Sequence, residues 1–247
     1  MTETLIVIPY LASQAQGDEL SLALAGWRQH FCEPRQIVVV GDKPDAADMG
    51  EDLIWINCPR IDKIEGQYTP HIDIVHKFRT VREAFPKARG FIYACDDMYA
   101  VKDFGLAEVK ALKLPVPMDV PPMDWRKESG WMRDLGKTWS LNRKEGTPCN
   151  WNWVCHLPVY YDWNRLIDIY DCYDCDNNSY IVENIYFNQR KPRRADMHLK
   201  SEYGYEVLMA GPGIATAEEA GKIWITNANC GWSKELERLL RRHYGMN

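Results

Sequence analysis

No run of apolar residues in this 247-residue sequence approaches the roughly 20 that a membrane-spanning helix needs. The opening stretch, MTETLIVIPY, carries no cationic leader and only a short apolar segment. These two deficits set the expectation of a cytoplasmic protein with no membrane span. An excess of positive charge is also missing: 30 Lys+Arg against 35 Asp+Glu leave a net charge of −5 and a pI near 5.7. Coating nucleic acid or anionic lipid requires a cationic surface, so that class of partner is disfavoured, with a local basic face left open. Internal repeats and low-complexity tracts are lacking. The eight cysteines (Cys32, Cys58, Cys95, Cys149, Cys155, Cys172, Cys175, Cys230) sit in a long, leaderless chain and read as reduced thiols rather than a disulfide framework. What is present is ordinary for a folded protein: 46% apolar, 12% aromatic and 26% charged residues exclude intrinsic disorder. The length suits one large α/β domain better than two independent halves.

The first ~95 residues alternate in type. TLIVIPY (Thr4 to Tyr10), QIVVV (Gln36 to Val40), LIWIN (Leu53 to Asn57) and FIYAC (Phe91 to Cys95) are short β-branched or apolar runs that suit buried strands. Between them Leu20, Ala23, Leu24, Trp27 and Phe31, and then Ile72, Val75, Phe78, Val81 and Phe85, keep a helical period. Strand, helix, strand, strand, helix, strand predicts a mainly parallel sheet flanked by helices. Ligands of such sheets bind beyond the carboxyl ends of the strands. Pro9 and Tyr10, Gly41 to Lys43, and Cys95 to Asp97 should therefore converge on one crevice.

The segment from Lys113 to Trp125 contains four prolines and reads as a connection. Six of the ten tryptophans follow within the next stretch (Trp125, Trp131, Trp139, Trp151, Trp153, Trp163). They form either an aromatic platform for a ligand or the core of an irregular segment. Helical patterns around Trp163 to Tyr170 and Ser179 to Asn188, a short strand near Lys222 to Thr226 and a basic amphipathic helix close the chain.

Asp96 and Asp97 directly follow the fourth buried strand. Carboxylates there are costly unless paired, solvated or metal-bound, and hard oxygen ligands suit Mg²⁺ or Mn²⁺ together with phosphate oxygens. A turn-capping pair is the alternative. Lys77 and Arg79 either neutralise phosphate or belong to a solvated helix face. His156 could complete a metal shell or transfer protons, or simply pack beside the tryptophans. Glu183, flanked by apolar residues on a helical pattern, is either a catalytic base pointing into the site or a surface or capping Glu, with Asp176 and Asp162 in reserve. Cys172 and Cys175 form a C-x-x-C that could join Cys149, Cys155 or His156 on zinc, although the spacing matches no standard finger or ribbon.

The order ELSLALAGWRQHF, IVVVGDKP, HKFRTVREAF and FIYACDDMY resembles nucleotide-sugar-dependent glycosyltransferases of the GT-A type, especially small bacterial and phage-type members. His156-Leu157-Pro158, much later than the acid motif, gives a more distant likeness to Stealth-type sugar-phosphate transferases. The resemblance implies a GT-A-like, Rossmann-related fold with a Trp-rich irregular and helical C-terminal part. Residues 1–112 would form the nucleotide-sugar-binding α/β half, and residues 113–247 the acceptor side of the same domain. It implies that Asp97, Asp96 and His156 hold Mn²⁺ or Mg²⁺ on the donor diphosphate, and that Pro9, Tyr10, Asp42, Lys77, Arg79 and Asp96 bind the nucleotide-sugar. Glu183 and Asp97 would carry the catalysis. Cys95 departs from the family's D-x-D pattern by standing where the first acid belongs. The expected activity is transfer of a sugar from a nucleotide diphosphate to an acceptor hydroxyl. Sugar-1-phosphate transfer and a non-catalytic nucleotide-sugar-binding module are the alternatives.

Overall fold

Residues 5–8 are apolar on both faces, and all four side chains are buried in strand β1 (Thr4–Tyr10). Such two-sided burial is what a central parallel strand requires. Helix α1 (Glu19–His30) leads back to β2 (Arg35–Gly41), which pairs parallel to β1 with Tyr10 opposite Gly41. Strand β3 (Leu53–Asn57), helix α2 (Pro70–Ala84) and strand β4 (Gly90–Tyr93) follow, giving the parallel order β3-β2-β1-β4. The computed structural model from which this description comes covers residues 3–61, 70–114, 130–147, 151–209, 213–228 and 230–246. The proline-rich connection from Pro115, Trp125 and Cys149 lie outside the described residues.

The chain then leaves the large sheet. Strand β5 (Met98–Ala100), helix α3 (Leu106–Lys110), strand β6 (Leu112–Leu114) and helix α4 (Gly130–Lys144) precede β7 (Val159–Asp162), an antiparallel edge strand on β4. Helices α5 (Trp163–Cys172) and α6 (Val182–Asn188) come next, then β8 (Met197–Leu199), α7 (Lys200–Tyr203), β9 (Gly204–Val207), α8 (Gly213–Glu219), β10 (Trp224–Asn227) and α9 (Lys234–Tyr244). Strands β5, β10 and β9 make a second small sheet in that order, and β6 pairs with β8. The fold is thus α/β with a mainly parallel main sheet flanked by helices, as the alternation of periods predicts.

Aromatic packing joins the first and second parts of the chain. Trp163, at the start of α5, stacks on Phe91 of β4 at 4.0 Å, and Phe78 of α2 meets the same ring edge-on at 4.8 Å. Each such pair adds about 0.5–1.5 kcal/mol beyond its buried area. Asp162 caps α5 by accepting the Arg165 N–H at 3.2 Å, so this reserve carboxylate has a structural partner. The tryptophans split: Trp153 and Trp163 are core residues, 2% and 0% exposed, whereas Trp131 stays at the surface. For those two the core reading holds. Among the described residues no helix is long and apolar enough to cross a membrane.

Candidate active site

The ends of β1, β2 and β4 come together as parallel register demands. Tyr10 lies opposite Gly41, and the Ala94 N–H donates to Val7 C=O at 3.1 Å, bringing the acid loop alongside Pro9. Gly41 has φ +133°, and a Cβ there would lie 2.0 Å from the Tyr10 carbonyl oxygen, so only glycine allows this approach. The crevice is a cavity of about 230 Å³, lined among others by Pro9, Tyr10, Glu19, Lys77, Asp96 and Asp97. Asp42 lies beside it and accepts the Ala12 N–H at 2.9 Å, holding the loop that leaves β1.

Strand β4 ends before the acids, and Cys95 to Met98 form a turn in which the Met98 N–H donates to Cys95 C=O at 3.3 Å. This turn bridges the large sheet and the small one, because β5 starts at Met98. His156 Nε2 lies 3.0 Å from Asp97 Oδ2, and its Nδ1 lies 3.8 Å from Glu206 Oε1 on β9. Lys200 pairs with the same Glu206. The backbone of His156 is left-handed, with φ 51°, a conformation that costs a non-glycine residue on the order of 1 kcal/mol and clusters at functional sites. Burial opposes the imidazolium, yet Asp97 and Glu206 together raise the His156 pKa to about 10. In return His156, with Lys200, holds Glu206 at about 2 against its own partial burial.

The donor atoms of Cys95, Asp97 and His156 all lie within 4.8 Å of one another. Asp97 Oδ1 is buried with no hydrogen-bond partner among the described residues, an unmet acceptor that a cation would satisfy. The set therefore fits a divalent ion. Asp96 lines the crevice but stands outside this converging trio. Burial, with the charges of Asp97 and Glu19, raises its pKa to about 7.

Glu183 sits at the start of α6, partly buried, and burial raises its pKa to about 7 while His156 pulls the other way. It has no hydrogen bond or ion pair among the described residues, and its charge acts on Tyr93 and Cys95. Lys77 is buried at the crevice and pairs with Asp73 one helical turn back. The expectation for Arg79 does not match its placement. Its guanidinium is held by Asp176 at 2.8 Å and Asp171 at 2.7 Å, outside the crevice lining, and the same pairing occupies the reserve carboxylate Asp176. Arg79 meets α5 through Asp171 and lies 5.4 Å from the Tyr170 ring of the same helix. The C-x-x-C is split, Cys172 exposed and Cys175 buried, and both belong outside the converging trio.

Some site residues carry no sequence signal. Glu19 reads as an acid complementing a helix start, yet it is buried and accepts from Asn227 Nδ2 at 2.9 Å and from the Gln16 N–H at 2.6 Å. Asn227 in turn accepts the Tyr99 O–H at 2.8 Å. Glu206 lies on a strand too short to show a period.

The Asp96 environment yields a pH prediction for the metal-free protein. Its folded pKa, about 7, exceeds its ordinary value of 3.8. The folded state therefore binds more protons between those values, and stability falls as pH rises through that window, then stays level above it. Asp96→Asn removes the penalty. The expected result is a melting temperature raised at about pH 8 clearly more than at about pH 4, measured with chelator present.

Two solved structures of the galactosyltransferase LgtC are similar to this chain. One, in complex with donor and acceptor sugar analogs, is 11% identical over 98% of this chain and 95% of its own, with a TM-score of 0.43. The other, an active-site mutant of LgtC, is 10% identical over the same shares, with a TM-score of 0.46. No protein-family model and no curated protein matches the sequence.

Proposed function

We propose that this protein is a glycosyltransferase that moves a sugar from a nucleotide-diphosphate donor to an acceptor hydroxyl, with a divalent cation at the Asp97–His156 site. The observation that carries the reading is the convergence of Asp97, His156 and Cys95 at the mouth of the strand-end crevice, with one Asp97 oxygen buried and unmet. It agrees with the GT-A resemblance of the sequence around the same turn.

In this reading Pro9 and Tyr10 hold the nucleoside, with the Tyr10 ring available for stacking on the base and Asp42 for a hydrogen bond to it or the ribose. Lys77 adds a buried positive charge at the crevice. Asp97 and His156, with Asp96 beside them, would hold a divalent cation, which when bound neutralises the departing diphosphate. The acceptor oxygen attacks the anomeric carbon, the bond from that carbon to the phosphate oxygen breaks, and the electron pair leaves with the diphosphate. Glu183 takes the acceptor proton. A carboxyl with pKa about 7 is suited to that exchange near neutrality.

The test is a thermal-shift screen of nucleotide sugars with and without Mn²⁺, since a ligand specific for the folded state raises the melting temperature. Product analysis with the binding donor follows. A released nucleoside diphosphate supports the proposal. A nucleoside monophosphate signals phosphosugar transfer instead, and binding with neither product across an acceptor panel signals a non-catalytic module.

A further inference from the structure

Cys95 stands one residue before the Asp96–Asp97 pair, on the turn that leaves β4. The turn closed by the Met98 N–H folds Asp97 back so that the Cys95 thiol and the Asp97 carboxylate share one side with the His156 imidazole. Zinc–sulfur and zinc–nitrogen bonds of about 2.3 and 2.1 Å put ligand atoms on a common ion at most ~4.4 Å apart. A trio already within 4.8 Å needs only small side-chain rotations to reach that spacing. The Cys95 S–H donates to the Tyr93 hydroxyl at 3.2 Å, so the sulfur is oriented by a second residue of the same crevice. Glu19 and Asp96 line the same crevice as Cys95 and Asp97, adding acidic oxygens that favour a cation there.

We propose that Cys95 is a ligand of the cation as a thiolate, and that the sulfur–oxygen–nitrogen donor set turns the site toward Co²⁺ and Zn²⁺ and away from Mg²⁺. The inference rests on the reading that a divalent ion binds at Asp97 and His156. Carboxylate-only sets suit Mg²⁺ and Mn²⁺, whereas thiolate and imidazole shift preference to the later, softer ions. On binding, the metal–sulfur bond forms as the S–H bond breaks, and that proton leaves to buffer, as does the proton on His156 Nε2.

The experiment titrates the full chain with Co²⁺ in reducing, metal-free buffer and follows the near-ultraviolet absorption that arises only from a thiolate bonded to Co²⁺. Calorimetry with Mg²⁺, Mn²⁺, Co²⁺ and Zn²⁺ runs in parallel. The wild type should show the sulfur band. Cys95→Ser should lose it and bind Co²⁺ about tenfold or more weakly, with Mg²⁺ affinity nearly unchanged. Cys95→Asp should also lose the band while gaining affinity for Mg²⁺ and Mn²⁺, and it covers the case in which the serine variant folds poorly. A band that persists in both variants, or Co²⁺ binding by the wild type with no band, overturns the thiolate and leaves the metal site standing. Failure of every cation to bind the wild type overturns the thiolate and the metal reading together.

Discussion

Asp97→Asn should lower transfer activity about 10²- to 10³-fold and abolish any Mn²⁺-dependent gain in melting temperature on adding the donor. The size follows from what the carboxylate does at once. It faces His156 at 3.0 Å, contributes a donor atom to the converging trio, and keeps its second oxygen buried and unmet. An amide of the same shape keeps the turn but surrenders the charge that faces His156 and that, in the proposed function, would hold a cation. Circular dichroism should remain native, because the turn is closed by backbone groups, and the donor found by the thermal-shift screen supplies the assay. Activity equal to wild type in a folded Asp97→Asn protein removes the metal role from this residue.

The largest loss of stability should come from Lys77→Met, about 3–5 kcal/mol by urea unfolding near neutral pH. Lys77 and Asp73 are both buried, 1% and 3% exposed, and pair across one turn of α2. Removing the ammonium strands a carboxylate whose one further partner among the described residues is the Ile61 N–H at 3.0 Å. The double variant Asp73→Leu/Lys77→Met should recover most of the loss, since two apolar groups of similar volume need no counter-charge. Equal instability of the single and double variants would mean that packing, and not the stranded charge, is responsible.

How much of this was legible beforehand depends on the length scale of each signal. The four parallel strands and their two helices announce themselves because two-sided burial produces uninterrupted apolar runs and an amphipathic helix repeats over 12 and 15 residues. The crevice then follows from topology, so Pro9, Tyr10, Asp96 and Asp97 could be named from order alone. Helix α4 was not foreseen, because Gly136 and the run of Trp131 and Trp139 with charged neighbours obscure its period. Strand β7 and the small sheet were partly hidden as well, since three- and four-residue strands carry no period to detect. Glu206, Asn227 and Tyr99 reach the site through those short strands, and nothing local marks them. Helical spacing says that Lys77 and Arg79 diverge in direction but not which of them faces the strand ends, so the placement of Arg79 beside α5 is not legible in the sequence.

The acid turn has one foot in each sheet, and its partner His156 arrives 59 positions after Asp97, while Glu206, which faces His156, and Asn227, which holds Glu19, come later still. Contacts of such long range must wait for loop closure, which ties slow folding to topology. The strands β1 to β4 can therefore form their sheet early while the residues around the acid turn stay incomplete. Competence for metal or donor should emerge as the last kinetic phase of refolding, coincident with docking of β9 and β10.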